Sequence, residues 1–137
     1  MLSTKAHRVN PHVLVNAIKA ELQNEDIVLP ENHDLVKTGS GRQYGPNTSD
    51  WFYARMASIV RQAMCKGKVS LKGLSYRYGI RKNRGVRPSK FTRGSQHIIQ
   101  SAINNLIEIK WFDFNQQDKI LTSKANEILN RILENIK

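Results

Sequence analysis

Lys and Arg side chains are concentrated in one block of the sequence, residues 51–100, which holds twelve of them and neither Asp nor Glu. Residues 1–50 carry five Lys or Arg against six acids, and residues 101–137 carry five against five. The net charge of +11 therefore comes from this basic block. Phosphates would supply the missing counter-charges, because each Lys or Arg paired with a phosphate releases a condensed counterion. The block predicts a polyanionic partner, nucleic acid in the first place and an acidic membrane surface in the second.

The most basic stretch is 81–95, with the sequence RKNRGVRPSKFTRGS, in which six of fifteen residues are Lys or Arg. Its Gly and Pro residues interrupt regular structure and predict a bendable loop over 79–94. Its one aromatic residue, Phe91, is predicted to anchor this loop to the body of the protein, as are Tyr76 and Tyr78. An irregular basic loop of this kind favours an irregular partner over a regular groove.

The candidate polyanion-binding residues lie on the polar side of a helix predicted over 50–66 and in the segment that follows it. Arg side chains can bind phosphate through two parallel hydrogen bonds, and Lys side chains act as point charges. Trp51 precedes Arg55 by one helical turn, so the pair predicts a stacking and charge platform; packing of Trp51 in the core is an equal alternative. The candidates are Trp51, Arg55, Arg61, Lys66, Lys68, Lys72, Arg77, Arg81, Lys82, Arg84, Arg87, Lys90 and Arg93.

Residue types that support catalysis are not grouped in this sequence. The basic block supplies no carboxylate pair for metal-assisted phosphodiester cleavage, and no phosphate-cradling glycine motif is present. The four histidines are scattered at poor spacing for a metal site. We therefore expect no enzyme, no metal and no cofactor. The lone Cys65 excludes an intrachain disulfide, and no apolar run approaches the roughly 18 residues of a membrane span, which predicts a soluble intracellular protein. The four histidines are His7, His12, His33 and His97.

Helical periodicity and capping residues predict a mainly α fold that forms a single domain over 1–137. Two short β-prone runs around a polar NQQD turn predict one β-hairpin at about 109–121. The order of these elements resembles a winged helix, with 109–121 as the wing and a long connection before the helix in the recognition position. A short element near 33–37 is possible. The predicted helices span 11–24, 50–66, 71–77, 95–107 and 123–136.

The class of partner follows from where the charge lies. A winged-helix DNA regulator would read the major groove with helix 95–107, but this helix contains no Lys or Arg. Folded RNA presents phosphates in many directions together with unstacked bases, and it suits the basic loop better. A DNA-binding regulator remains the alternative, and a protein-interaction adaptor that uses helix 123–136 is a third possibility.

Three segments of the sequence resemble the archaeal and eukaryotic small-subunit ribosomal protein family S-nineteen of the eukaryotic type. They are DWFYARMASIVRQAMCKG at 50–67, YGIRKNRGVRPSKFTRGS at 78–95 and LPENHDLVKTG at 29–39. Their order and spacing agree with the family, and the resemblance spans essentially the whole chain.

This resemblance implies a winged-helix-like protein in the head of the small ribosomal subunit, which holds small-subunit rRNA and supports late maturation of the subunit precursor. Its partners would be this rRNA and neighbouring ribosomal proteins, with no membrane and no small-molecule substrate. The protein would reside in the cytoplasm on ribosomes, with assembly in the nucleolus of a eukaryotic cell. By position, Arg55 and Arg61 match surface arginines of the family's central helix. The matches to its basic loop are Arg81, Lys90, Arg93 and Gly94.

Overall fold

The protein has a mainly α fold, as the sequence predicts. The computed structural model describes residues 2–25, 27, 29, 37–42, 44–115 and 118–136, and these contain six helices and two antiparallel hairpins. The helices are α1 (Leu2–Arg8), α2 (Pro11–Gln23), α3 (Trp51–Lys66), α4 (Leu71–Arg77), α5 (Gln96–Glu108) and α6 (Ser123–Asn135). The strands are β1 (Ile80–Arg84), β2 (Arg87–Thr92), β3 (Phe112–Asn115) and β4 (Asp118–Leu121).

Side-chain caps begin several of the helices. Asn10 Oδ1 accepts a hydrogen bond from the His12 N–H at 3.0 Å, and Pro11 occupies the first position of α2. Ser70 Oγ caps α4 and Thr122 Oγ1 caps α6 in the same way, each by accepting from the N–H three residues later. These bonds satisfy N–H groups that have no partner within their own helix.

The core is formed where the apolar faces of α2, α3, α5 and α6 meet. Phe52 and Met56 of α3 and Ile99 and Ile103 of α5 are fully buried. The short helix α1, which the sequence analysis did not predict, packs on α3: Ala6 is buried and Ser3 Oγ donates to the Cys65 carbonyl at 2.9 Å. None of the helices in the described ranges combines the length and apolarity needed to cross a bilayer.

The predicted wing is present as the β3–β4 hairpin. It begins at Phe112, later than predicted, because the residues before it complete the end of α5: Lys110 adopts a left-handed φ of 63°, and the Trp111 N–H donates to the Leu106 carbonyl. Val69 pairs with Lys119 through two backbone hydrogen bonds and so joins the start of α4 to the wing.

The loop predicted over 79–94 is instead a second hairpin, β1–β2, so this prediction was wrong. Its register pairs Ile80 with Thr92 and Arg81 with Phe91, and it shifts by a bulge before the turn. The hairpin lies between α4 and α5 in the chain, the two helices that contact each other in the winged-helix-like arrangement. The element considered near 33–37 lies outside the described residues apart from residue 37.

Candidate nucleic-acid interface

The β1–β2 hairpin carries like charges in cross-strand positions. Lys82 is paired with Lys90, and Arg84 with Arg87. Like charges directly opposite each other destabilise a hairpin. The turn is held locally, because the Arg84 Nε–H donates to the Pro88 carbonyl at 3.0 Å and Gly85 adopts a left-handed φ of 77°. The predicted cations at Arg81, Arg87 and Lys90 are exposed, and those at Lys82 and Arg84 are partly exposed.

The base of the hairpin is fixed to the body by backbone contacts around Gly94. Its N–H donates to the Ser75 carbonyl at 2.8 Å, and it forms a β-bridge with Gly39. A Cβ at Gly94 would lie 3.1 Å from the Tyr78 carbonyl oxygen, so glycine allows a close approach of two backbones here. Gly94 is buried. It therefore positions the hairpin, and its direct contact with a polyanion stays a prediction.

Arg55 lies at the centre of a cluster of cations and aromatic rings between α3 and α4. Its guanidinium carbon is 3.9 Å from the centroid of the Tyr78 ring, and that of Arg77 is 6.0 Å from the same centroid. The Tyr78 hydroxyl donates to Ser58 Oγ at 2.6 Å, which joins the end of α4 to the middle of α3. Tyr78 thus anchors the start of the hairpin to the body, as predicted from the sequence.

Burial shifts the ionisation of both partners in this cluster. It lowers the pKa of Arg55, and the charges of Arg42 and Arg77 lower it further, while Tyr78 acts in the opposite direction. Burial likewise raises the pKa of the Tyr78 hydroxyl. Among the residues that the structure describes, no carboxylate contributes to the lowering of the Arg55 pKa. A partly desolvated guanidinium surrounded by other cations favours an external anion.

A cavity of about 460 Å³ opens beside this cluster. Arg42 and Arg55 line it together with Tyr44, Trp51 and Tyr78. Arg42 was missed by the sequence analysis because it lies outside the basic block, and only the path of residues 37–42 brings it next to α3. No short motif around Arg42 would have indicated this.

Trp51 belongs to the core, although its edge reaches the cavity. It is 8% exposed, and its ring packs edge-on against Phe52 with centroids 5.7 Å apart. This burial agrees with the alternative that Trp51 packs in the core, while the Arg55 guanidinium lies over the Tyr78 ring.

The remaining candidate cations extend this surface along α3 and α4. Lys66, Lys68 and Arg77 line a smaller cavity of about 190 Å³, and Lys72 is exposed nearby on α4. Arg61 is partly buried on α3, and its Nε–H has no acceptor among the described residues. Arg93 is exposed, with its guanidinium carbon 5.2 Å from the centroid of the Tyr76 ring.

Helix α5 presents a different surface. The side chains of Gln100 and Asn104 could pair with adenine edges in a DNA groove. In this structure Gln100 Nε2 donates a hydrogen bond to Asn104 Oδ1 at 2.9 Å. The helix carries no Lys or Arg. Across the part of the chain that the structure describes, no three His, Cys, Asp or Glu residues form a group that could hold a metal ion.

Comparisons with known proteins agree along nearly the whole chain. The sequence matches the family described as ribosomal protein S19e over residues 5–137. It is 39% identical over 132 residues to small ribosomal subunit protein eS19 of Encephalitozoon cuniculi, with 96% of each chain covered. It is 32% identical to small ribosomal subunit protein eS19G of Ascaris suum, covering 95% of this chain and 90% of that protein. Small ribosomal subunit protein eS19 of Oryza sativa subsp. japonica is 31% identical, with coverages of 90% and 86%.

Proposed function

Because the chain belongs to the ribosomal protein S19e family, we propose that it is a structural constituent of the small ribosomal subunit that binds small-subunit rRNA. The proposed contact surface consists of the exposed cations of α3, α4 and the β1–β2 hairpin. The relatives, which cover this chain almost from end to end, are small ribosomal subunit proteins by name. The sequence and the structure support a phosphate-rich partner independently of these names.

The observation that carries the proposal is the environment of Arg55. Its guanidinium is partly buried against Tyr78, and the described charged groups that lower its pKa are Arg42 and Arg77, with no carboxylate among the described residues to offset them. Burying a charge without a counter-charge is costly. A phosphate of the RNA backbone in the adjoining cavity would supply that counter-charge and accept two parallel hydrogen bonds from the guanidinium.

The β1–β2 hairpin supports the same partner. Its cross-strand Lys82–Lys90 and Arg84–Arg87 pairs repel each other in the free protein. Phosphates placed along the hairpin relieve this repulsion, and folded RNA offers phosphates in many directions. A DNA duplex in a winged-helix complex would instead require α5 to carry phosphate anchors, and α5 has no Lys or Arg.

We further propose that the protein is one domain in the head of the small subunit, where it also meets neighbouring ribosomal proteins and supports maturation of the subunit precursor. Mature subunits would carry it in the cytoplasm, and in a eukaryotic cell it would join them in the nucleolus. It would act as an assembly and structural protein, not as an enzyme.

Sucrose-gradient sedimentation tests the proposal. The protein is expected to co-sediment with small subunits, and the purified chain is expected to bind structured small-subunit rRNA more tightly than any DNA duplex in a competition assay. With about six phosphate contacts, the log–log dependence of affinity on salt should have a slope of roughly −4 to −5. Protein found entirely at the top of the gradient, or a preference for one duplex DNA sequence, would contradict the proposal.

A further inference from the structure

Two aromatic side chains stack on each other at the surface, beside the β1–β2 hairpin. The rings of Tyr76 and Phe91 have centroids 6.2 Å apart and planes inclined by 10°. Both side chains remain open to solvent: Tyr76 is 47% exposed and Phe91 is 55% exposed. Phe91 is predicted from the sequence to be an anchor, and a residue that serves only as an anchor would be expected to lie buried.

The Phe91 ring is contacted from two directions, yet the residue stays 55% exposed. The Tyr76 ring lies nearly parallel to it in an offset stack. The tip of the ring lies against Gly79, because a Cβ built on Gly79 would be only 2.7 Å from Phe91 Cε2. These contacts fix the position of the ring and leave much of it open to solvent. The Tyr76–Phe91 stack is thus a flat aromatic surface on a fixed support.

Cations surround this stack. Arg81 is the cross-strand partner of Phe91, so the two side chains lie on the same face of the hairpin. The guanidinium carbon of Arg93 is 5.2 Å from the Tyr76 centroid. Residues 51–107 contain no Asp or Glu. An apolar protein partner would have to desolvate these guanidinium groups. A ligand that joins a flat ring to a phosphate would instead contact the aromatic stack with its ring and the guanidinium groups with its phosphate.

We propose that the exposed ring of Phe91 stacks on an unpaired RNA base, and that Arg81 and Arg93 bind the phosphates that flank this base. The inference rests on the proposed rRNA binding. It adds that the hairpin recognises a particular feature of the RNA, a base that lies outside the paired helices. Unpaired bases are the part of RNA that proteins stack on aromatic side chains. Every base has a π face, so the site selects single-stranded geometry and has little preference for sequence.

Two RNA stems test the inference, one fully paired and one with the same sequence plus a single bulged adenosine. Fluorescence anisotropy with the full chain at fixed salt is expected to give tighter binding to the bulged stem. Phe91→Leu keeps an apolar side chain but removes the π face. It should weaken binding to the bulged stem by about 5- to 150-fold, the range for loss of one stacked base, and leave binding to the paired stem unchanged.

Phe91→Tyr is the matched control, since it keeps an aromatic face and should keep the preference for the bulged stem. A 2-aminopurine at the bulge adds a second readout: its fluorescence should be quenched by the native chain and by Phe91→Tyr but not by Phe91→Leu. This readout reports stacking directly, and unchanged binding to the paired stem separates loss of the ring from displacement of the basic hairpin.

Three outcomes would overturn the inference. They are an equal loss for both stems with Phe91→Leu, no loss for either stem, and unchanged RNA binding with reduced incorporation into small subunits, which would indicate a protein partner at this surface. In each of these the native chain still binds RNA, so the proposed rRNA binding survives. A native chain that binds neither stem nor small-subunit rRNA would refute both proposals.

Discussion

Arg55 and Tyr78 form a cation–π pair in which the guanidinium carbon lies 3.9 Å from the ring centroid. This contact fixes one guanidinium against the body of the protein at the edge of the cavity of about 460 Å³. The pair also links two parts of the chain, because Arg55 belongs to α3 and Tyr78 directly precedes the β1–β2 hairpin. A long, flexible side chain is thereby held in one place before any RNA arrives, which lowers the entropy lost on binding.

Replacing this guanidinium should weaken RNA binding through the loss of one phosphate contact. For Arg55→Gln we expect lower affinity for structured rRNA and a log–log salt slope that is less steep by about one. Filter binding across a range of salt concentrations measures both quantities. Arg131→Gln is the matched control, because it removes the same charge from the exposed surface of α6. An identical salt slope for the Arg55 variant and the native chain would contradict the placement of a phosphate at Arg55.

The Tyr78 hydroxyl should make the stability of the protein depend on alkaline pH. Burial raises its pKa in the folded chain above the ordinary value of 10.0. The stability that it contributes is therefore fully present below about pH 10 and is lost as the pH rises through the folded-state pKa. Tyr78→Phe also removes the hydrogen bond to Ser58, so we expect it to lower the free energy of unfolding near pH 8 by about 0.5–1.5 kcal/mol.

Urea denaturation at pH 8 and at several values above pH 10 checks this expectation. The stability difference between the native chain and Tyr78→Phe should shrink at the higher values, because only the native chain loses the contribution. Ser58→Ala is the control: it removes the same hydrogen bond and keeps the buried hydroxyl, so its alkaline loss should follow that of the native chain. A constant difference between the native chain and Tyr78→Phe would refute the assignment.

Gly79 should be intolerant of a side chain for steric reasons. A Cβ at this position would lie 2.5 Å from the Thr92 carbonyl oxygen and would press on the Phe91 ring. Neither the backbone oxygen nor the stacked ring can give way cheaply, so Gly79→Ala should destabilise the protein by about 1–3 kcal/mol. Gly85→Asn is the matched control in the same hairpin: the space around Gly85 is open and Asn tolerates its positive φ. Urea denaturation should show a clearly larger loss for Gly79→Ala, and equal losses would count against the steric explanation.

Much of the helical framework could be predicted from local signals in the sequence. Asn10 with Pro11, Ser70, Ser95 and Thr122 precede helices at the predicted places, and their side chains accept the expected cap hydrogen bonds. Capping acts within three residues, and apolar periodicity acts within one helix. Helix caps and apolar periodicity can therefore be predicted without knowledge of the tertiary structure.

The elements that were missed depend on contacts between distant parts of the chain. The β1–β2 hairpin has Pro88 in a strand and like charges opposite each other, two features that argue against a strand. It is held by the Gly39–Gly94 bridge and by the Tyr76–Phe91 stack, which the local sequence does not reveal. The helical wheel of α3 puts Trp51 on the polar side, so only the tertiary structure could decide for the alternative of core packing. The candidate cations were chosen from the charge distribution along the sequence, and their contacts with RNA stay predictions.

Because like charges oppose each other in the β1–β2 hairpin, ionic strength has opposite effects on the stability of the free hairpin and on its attraction for a polyanion. Added salt screens the repulsion of Lys82 from Lys90 and of Arg84 from Arg87, and so favours the folded hairpin in the isolated protein. The same salt weakens the attraction of the hairpin for a polyanion. The isolated chain and the proposed complex are therefore expected to prefer opposite solution conditions: concentrated salt favours the folded free protein, and dilute salt favours its binding to a polyanion.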